Sequence, residues 1–319
     1  MINIVTIGGG TGHSQILEGI KEIGGIKITA ICPSTDSGGS TGILQEKYDG
    51  SGYTGDLTKC VAALCKDKVL TKALTFRYED GPLDSHSVKN LLFHALEKVS
   101  NLEIALKTLW TVAGINPHRV LPITNKKTEL CARLSIGSTI VGETNIDTIA
   151  KNPLWNPNIH SISDIYLKPK VSVSKLAVAA IKESDYIIIS PGDLYSSIIP
   201  VLLPKGMKEE IKKSSATIIL ILNIMTKKGE TDNYTASDFI KIIEERLGRR
   251  VNYIVGNNAR ISPKALLQYS LESKVEFDSL DTTKDNRMIL APLAVVTKTN
   301  QIYTSPTIIR RVIKNILMC

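Results

Sequence analysis

The hydrophobic pattern begins with Ile2–Gly8 (INIVTIG), a β-branched run closed by glycine, and continues through Ile16, Leu17, Ile20 and Ile23 at helical spacing. It therefore predicts strand, glycine turn and helix. A second apolar strand is predicted over Lys27–Pro33, ending in a Gly/Ser cluster, Ser34–Gly42. Helices are predicted at about Asp56–Cys65, Val88–Val99 and Leu102–Val112, the second with Val88, Leu91 and Leu92 toward the core. Glu129–Ile146 (about 129–146) reads as two short strands joined through Gly137, a hairpin inserted at the sheet edge. From Val173 onward, helices at Val173–Lys182, Ser196–Leu203, Ala236–Leu247 and Pro263–Glu272 alternate with the apolar strands DYIIIS, ATIILILN and VNYIVGN. Strands MILAPLAVV and QIYTS then precede a last helix over Thr307–Leu317.

Near-continuous Ile/Val/Leu strands suit a sheet covered on both faces. Alternation with helices predicts a three-layer α/β/α, doubly wound, mainly parallel Rossmann-like sheet with a small β-hairpin insertion. With no linker composition or fixed-period repeat, residues 1–319 are read as one domain.

Composition narrows this picture. At 43% hydrophobic and 22% charged residues, the chain is a folded globule rather than a disordered segment. No apolar run is long enough for a membrane helix and no charged leader precedes the first strand, so a cytoplasmic protein without membrane contact is expected. Cys32, Cys60, Cys65, Cys131 and Cys319 form no CxxC pair and read as reduced core residues. The net charge of +8 suits an anionic ligand, but the basic residues are dispersed without an aromatic platform, which argues against nucleic acid.

The candidate chemistry lies in the glycine-rich turns. Gly8, Gly9, Gly10, Thr11 and Gly12, with Ser14, stand between a strand and a helix, where backbone N–H groups and the helix dipole favour phosphate. The spacing is neither GxxxxGK[ST] nor a clean GxGxxG. Asp36 follows the second strand beside Gly38, Gly39 and Ser40, and reads either as an Asx-turn residue or as a partner of ribose or metal. Asp56 either caps the helix it opens or joins Asp36 on a divalent ion, for which magnesium is the candidate. His86, Ser87 and Asn90 are placed on one polar helix face. Gly192, Asp193 and Tyr195 form another strand-to-helix turn, and Asn223 and Thr226 open a polar loop after a very apolar strand. Thr235 with Asp238 is read as helix capping, and Lys227 and Lys228 as solvated. No Ser-His-Asp or Cys-His arrangement is legible, so the catalytic residues, if any, stay unassigned.

Taken together, GGGTG, the Asp/Gly/Ser cluster, TGDLTKC, SHSVKN, LPIT, IVGE, SPGDLYSSIIP and NIMTKKGET occur in one order. In that combination the chain resembles the gluconeogenesis-factor and 2-phospho-L-lactate transferase (CofD) superfamily, and its gluconeogenesis-factor (YvcK-like) branch more closely. The resemblance implies binding of a UDP-sugar such as UDP-N-acetylglucosamine by a regulator of carbon use and cell-wall precursor flow, with a homo-oligomer, a dimer, as the expected assembly. The other branch implies a transferase that moves a phospholactyl group onto a deazaflavin with a divalent metal. By motif, Gly8–Gly12 would hold the diphosphate, flanked by Asp36 and Gly38–Ser40. His86, Ser87, Asn90, Gly192, Asp193, Tyr195, Asn223 and Thr226 would line the crevice. The chain departs from the family pattern at Ser37, where a second aspartate is typical, and at Lys89, where a glycine is typical.

Overall fold

A computed structural model describes residues 1–271 and 285–318. Its centre is a seven-stranded sheet built from β1 (Ile2–Ile7), β2 (Ile26–Cys32), β3 (Arg119–Pro122), β7 (Tyr186–Ile189), β8 (Thr217–Ile221), β9 (Tyr253–Asn257) and β10 (Met288–Ala291). The spatial order is β10-β9-β8-β7-β1-β2-β3, and every pairing is parallel. From β1 the chain first runs outward to β2 and β3, then returns to place β7 on the other side of β1. The strand order therefore reverses between β1 and β7, the place where doubly wound sheets open a crevice.

Alternation within the strands supplies two cores. Ile4, Ile28, Ile188 and Ile219 point to one face, beneath α1 (Gly10–Ile20), α3 (Thr54–Leu64), α6 (Leu102–Val112) and α13 (Pro306–Leu317). Val5, Ile7, Ile187, Ile189 and Leu220 point to the other, beneath α8 (Lys175–Lys182), α9 (Ile199–Leu202), α10 (Met207–Lys213) and α11 (Ala236–Leu247). The result is the expected three-layer α/β/α arrangement. The remaining helices are α2 (Gly39–Tyr48), α4 (Lys68–Thr75), α5 (Val88–Val99), α7 (Glu143–Asp147) and α12 (Pro263–Leu271).

Several expectations need correction. The hairpin β4 (Glu129–Leu134) and β5 (Thr139–Val141) takes a third strand, β6 (Ile162–Lys168), in the order β5-β4-β6, and forms a separate antiparallel sheet rather than an edge extension. Its Leu130, Ala132, Ile165 and Leu167 join the core over β1 and β7, which explains why it is not an isolated hairpin. The segment 288–296 divides after Ala291, and among the described residues β11 (Ala294–Val296) pairs with β12 (Ile302–Thr304) alone. On α5 the fully buried positions are Lys89, Asn90 and Phe93, whereas Val88, Leu91 and Leu92 are half-buried. The cause is that α5 packs chiefly on α3, α6 and α4, so its burial follows those helices, with Leu92, Phe93 and Leu96 turned to the core. The end of the helix expected to reach Glu272, and Cys319, lie outside the described residues; Cys32, Cys60, Cys65 and Cys131 are free and buried.

Candidate functional site

α1 begins at Gly10, so the glycine motif is itself the first helical turn. That turn lies against the one following β7: a Cβ on Gly12 would stand 2.2 Å from the Pro191 carbonyl oxygen. Only glycine allows this approach. The second turn is pinned by Asn223, whose Oδ1 accepts from Gly192 N at 2.9 Å while its Nδ2 donates to Gly192 O at 2.7 Å. Both turns thus meet at the carboxyl ends of β1, β7 and β8, and a cleft of about 660 Å³ opens between them.

Gly9, Gly10, Thr11, Gly12, Asp36, Gly38, Gly39, Ser40, Asp56, Asn90, Gly192, Asp193, Asn223 and Thr226 line the cleft. Gly8, Ser14, His86, Ser87 and Tyr195 do not. Ser14 turns inward to donate to Thr11 O at 2.8 Å, and Tyr195 is buried with its hydroxyl 2.9 Å from that of Tyr234. His86 precedes α5 instead of sharing a helix face with Asn90, and its Nδ1 lies 2.9 Å from Ser40 Oγ. Ser87 is the buried N-cap of α5, with its hydroxyl unpaired among the described residues.

Asp56 is not a helix cap. Its Oδ1 accepts from Gly10 N at 2.8 Å, tying α3 to the start of α1. An aspartate at that position already takes one of the N–H groups that a helix leaves free at its N-terminus, so a phosphate docking beside it needs added positive charge. Asp36 lies close by: a Cβ on Gly55 would stand 2.1 Å from its Oδ2, and its Oδ1 accepts from Gly38 N at 3.0 Å, the Asx-type bond. Burial, then the charge of Asp56, pushes Asp36 up to about 6.

The sequence reading missed Glu143 as a cleft residue, although IVGE contains it. Ser37 Oγ accepts from Thr144 N at 3.1 Å, which seats the start of α7 beside the Asp36 loop and brings Glu143 to the cleft. Burial, reinforced by Asp36, raises Glu143 to about 8. Lys227, expected to be solvated, instead bridges Asp147 at 2.8 Å and Asp193 at 3.4 Å, and these two charges hold its pKa above the ordinary lysine value despite burial. Beneath it, Glu230 is fully buried and accepts from Tyr195 N at 2.8 Å, Ser196 N at 3.0 Å and Ser196 Oγ at 2.6 Å. This carboxylate organises the turn Leu194–Ile198, a π-helical turn rather than the α-helix expected from Ser196. Burial and Asp193 push Glu230 up to about 8. The Thr235–Asp238 capping box forms as read.

Asp36, Glu143 and Glu230 all bind protons more tightly in the fold than in the unfolded chain, so protonation favours the folded state. Their contribution is complete below about pH 4 and is lost as pH rises through about 6 for Asp36 and about 8 for the two glutamates. Without ligand or divalent cation, the melting temperature should therefore fall between about pH 5 and pH 9. Thermal denaturation across that range checks this, and a flat or rising profile contradicts it.

No helix of the described residues is long and apolar enough to cross a membrane. In sequence, residues 4–294 match the family described as 2-phospho-L-lactate transferase CofD. The chain is 35% identical over 292 residues to a relative from Thermotoga maritima, covering 91% of this chain and 89% of that protein. It is 34% identical over 285 residues to the gluconeogenesis factor of Listeria innocua, covering 88% of this chain and 85% of the other. The crystal structure of a UPF0052-family protein from Bacillus halodurans superposes with a TM-score of 0.88 at 29% identity, over 98% of this chain and 99% of that one. The shared sequence over nearly the whole length, on the same doubly wound scaffold, places this chain in the CofD family.

Proposed function

We propose that the cleft binds a phosphorylated, nucleotide-linked ligand, a UDP-sugar such as UDP-N-acetylglucosamine, and that the protein acts in the cytoplasm as a regulator of carbon metabolism and cell-wall precursor flow. The observation that carries this reading is the meeting of two glycine turns at the reversal of strand order, with the N-terminus of α1 aimed into the cleft. Such a site offers backbone N–H groups and a favourable dipole to a diphosphate. The gluconeogenesis-factor name of the Listeria relative supports the regulatory part.

Carboxylates in the cleft lining would hold a divalent cation. Asp36, Asp56 and Glu143 are hard oxygen donors, and burial followed by neighbouring carboxylate charge raises the proton affinities of Asp36 and Glu143. Magnesium bound there would neutralise the ligand's phosphates and stabilise a leaving phosphate. The same cluster favours a second reading, a CofD-like transferase moving a phospholactyl-type group onto a deazaflavin acceptor.

Calorimetric titration with UDP-N-acetylglucosamine tests the first reading. Magnesium should tighten binding to the wild type, and Asp36→Asn should abolish that gain. Affinity unchanged by chelator removes the metal from the account. Failure of the sugar nucleotide to bind, together with tight binding of a deazaflavin, moves the account to the transferase.

A further inference from the structure

The cleft also holds cations that the diphosphate seat does not use. Lys89 is only 7% exposed, yet it lines the cleft. Its Nζ donates to Asn90 Oδ1 at 2.9 Å and Thr58 Oγ1 at 3.1 Å, both neutral acceptors, and it forms no ion pair among the described residues. Burying an ammonium without a carboxylate is costly, and an ammonium has three N–H groups to place. Two more cations surround the same wall, Lys59 from α3 and Arg77, whose guanidinium is tethered to the Ser85 carbonyl. Burial and then the charges of Lys59 and Arg77 lower Lys89 to about 8 against the weaker opposing pull of Asp36 and Asp56. Asp36 and Asp56 act in the opposite direction, and neither forms an ion pair with it.

A fold that converges three like charges, one of them buried and fixed by two hydrogen bonds, is arranged for an anion that arrives from outside. Lys89 is anchored to α3 and α5, whereas the diphosphate seat belongs to α1 and the turn after β7. We propose that Lys89, with Lys59 and Arg77, forms an oxyanion pocket for a second acidic group on the ligand, a carboxylate or phosphate separate from the diphosphate, so that an acidic sugar nucleotide binds more tightly than a neutral one such as UDP-N-acetylglucosamine, which fills the diphosphate seat alone. The choice of nucleotide probes rests on the proposed function; the pocket itself does not.

UDP-glucuronate and UDP-glucose differ by one carboxylate and form the matched pair for calorimetry. The wild type should bind UDP-glucuronate at least about tenfold more tightly, the effect of one charge-assisted hydrogen bond, and in Lys89→Gln the ratio should fall to about one. Glutamine keeps a polar donor on that wall while removing the buried charge, so the ligand-free variant should melt no lower than the wild type. A melting temperature clearly below wild type, with the affinity ratio intact, would assign Lys89 a structural role and overturn the proposal. Equal affinities in the wild type also overturn it. If neither nucleotide binds, the nucleotide reading fails and inorganic phosphate decides. Thermal stabilisation of the wild type by phosphate, lost in Lys89→Gln, supports the pocket; no stabilisation of the wild type ends it.

Discussion

Gly12→Ala is expected to cost about 3 kcal/mol of stability or more and to lower the melting temperature by about 6 °C or more. The added methyl would sit 2.2 Å from the Pro191 carbonyl oxygen and 2.8 Å from its carbon. A backbone oxygen cannot swing aside as a side chain does, so the two turns must separate. Because these turns form the cleft, ligand binding should fail with the packing. Gly10 offers a contrast: its φ of 66° strains any Cβ-bearing residue, but the nearest atom outside the turn, Ser197 Oγ, would be 3.7 Å away. Gly10→Ala should therefore cost only the left-handed backbone, about 1–2 kcal/mol. Urea denaturation of both variants measures the difference, and equal losses would show that the contact between turns does not govern stability.

The second large effect is expected from Glu230→Ala, at about 3–5 kcal/mol. That substitution leaves Tyr195 N, Ser196 N and Ser196 Oγ without their common acceptor in a fully buried place. Above about pH 8, where Glu230 is ionised, it also removes a negative charge acting on Lys227. Glu230→Gln, which keeps the shape and one acceptor oxygen, should cost less. Chemical denaturation gives the magnitude, and hydrogen exchange at the Tyr195 and Ser196 amides gives the location. If these amides exchange at the wild-type rate in Glu230→Ala, the carboxylate does not hold the turn.

These residues also show what was legible in the sequence. Central strands such as YIII and TIILI could be read because parallel strands buried on both faces have no polar alternation to obscure them. The glycine turns were legible for a local reason, since their backbone demands are met by few residues. β3 was not read as a strand: its four residues, Arg119–Pro122, give too short a signal, and it is defined by pairing with β2. α2 was read as a turn cluster because GSTGILQEKY has two glycines and little apolar periodicity. The faces of α5 were misread because its neighbours are helices, so burial follows their shapes rather than a sheet plane. At the cleft, Asp36, Asn90 and Asn223 could be picked out beside glycine-rich or polar segments. Glu143, Glu230 and Lys89 owe their importance to partners distant in sequence: Asp36 for the first, Tyr195 and Ser196 for the second, Thr58 for the third. Spacing along the chain carries no trace of those encounters.

A crystal structure of the protein grown with UDP-N-acetylglucosamine and magnesium would show where the phosphates sit. The diphosphate is expected against the first turn of α1, between Gly9–Gly12 and Pro191–Asp193, with the metal held among Asp36, Asp56 and Glu143. A nucleotide bound away from the carboxyl ends of β1 and β7, or one whose phosphates avoid the α1 turn, would contradict it.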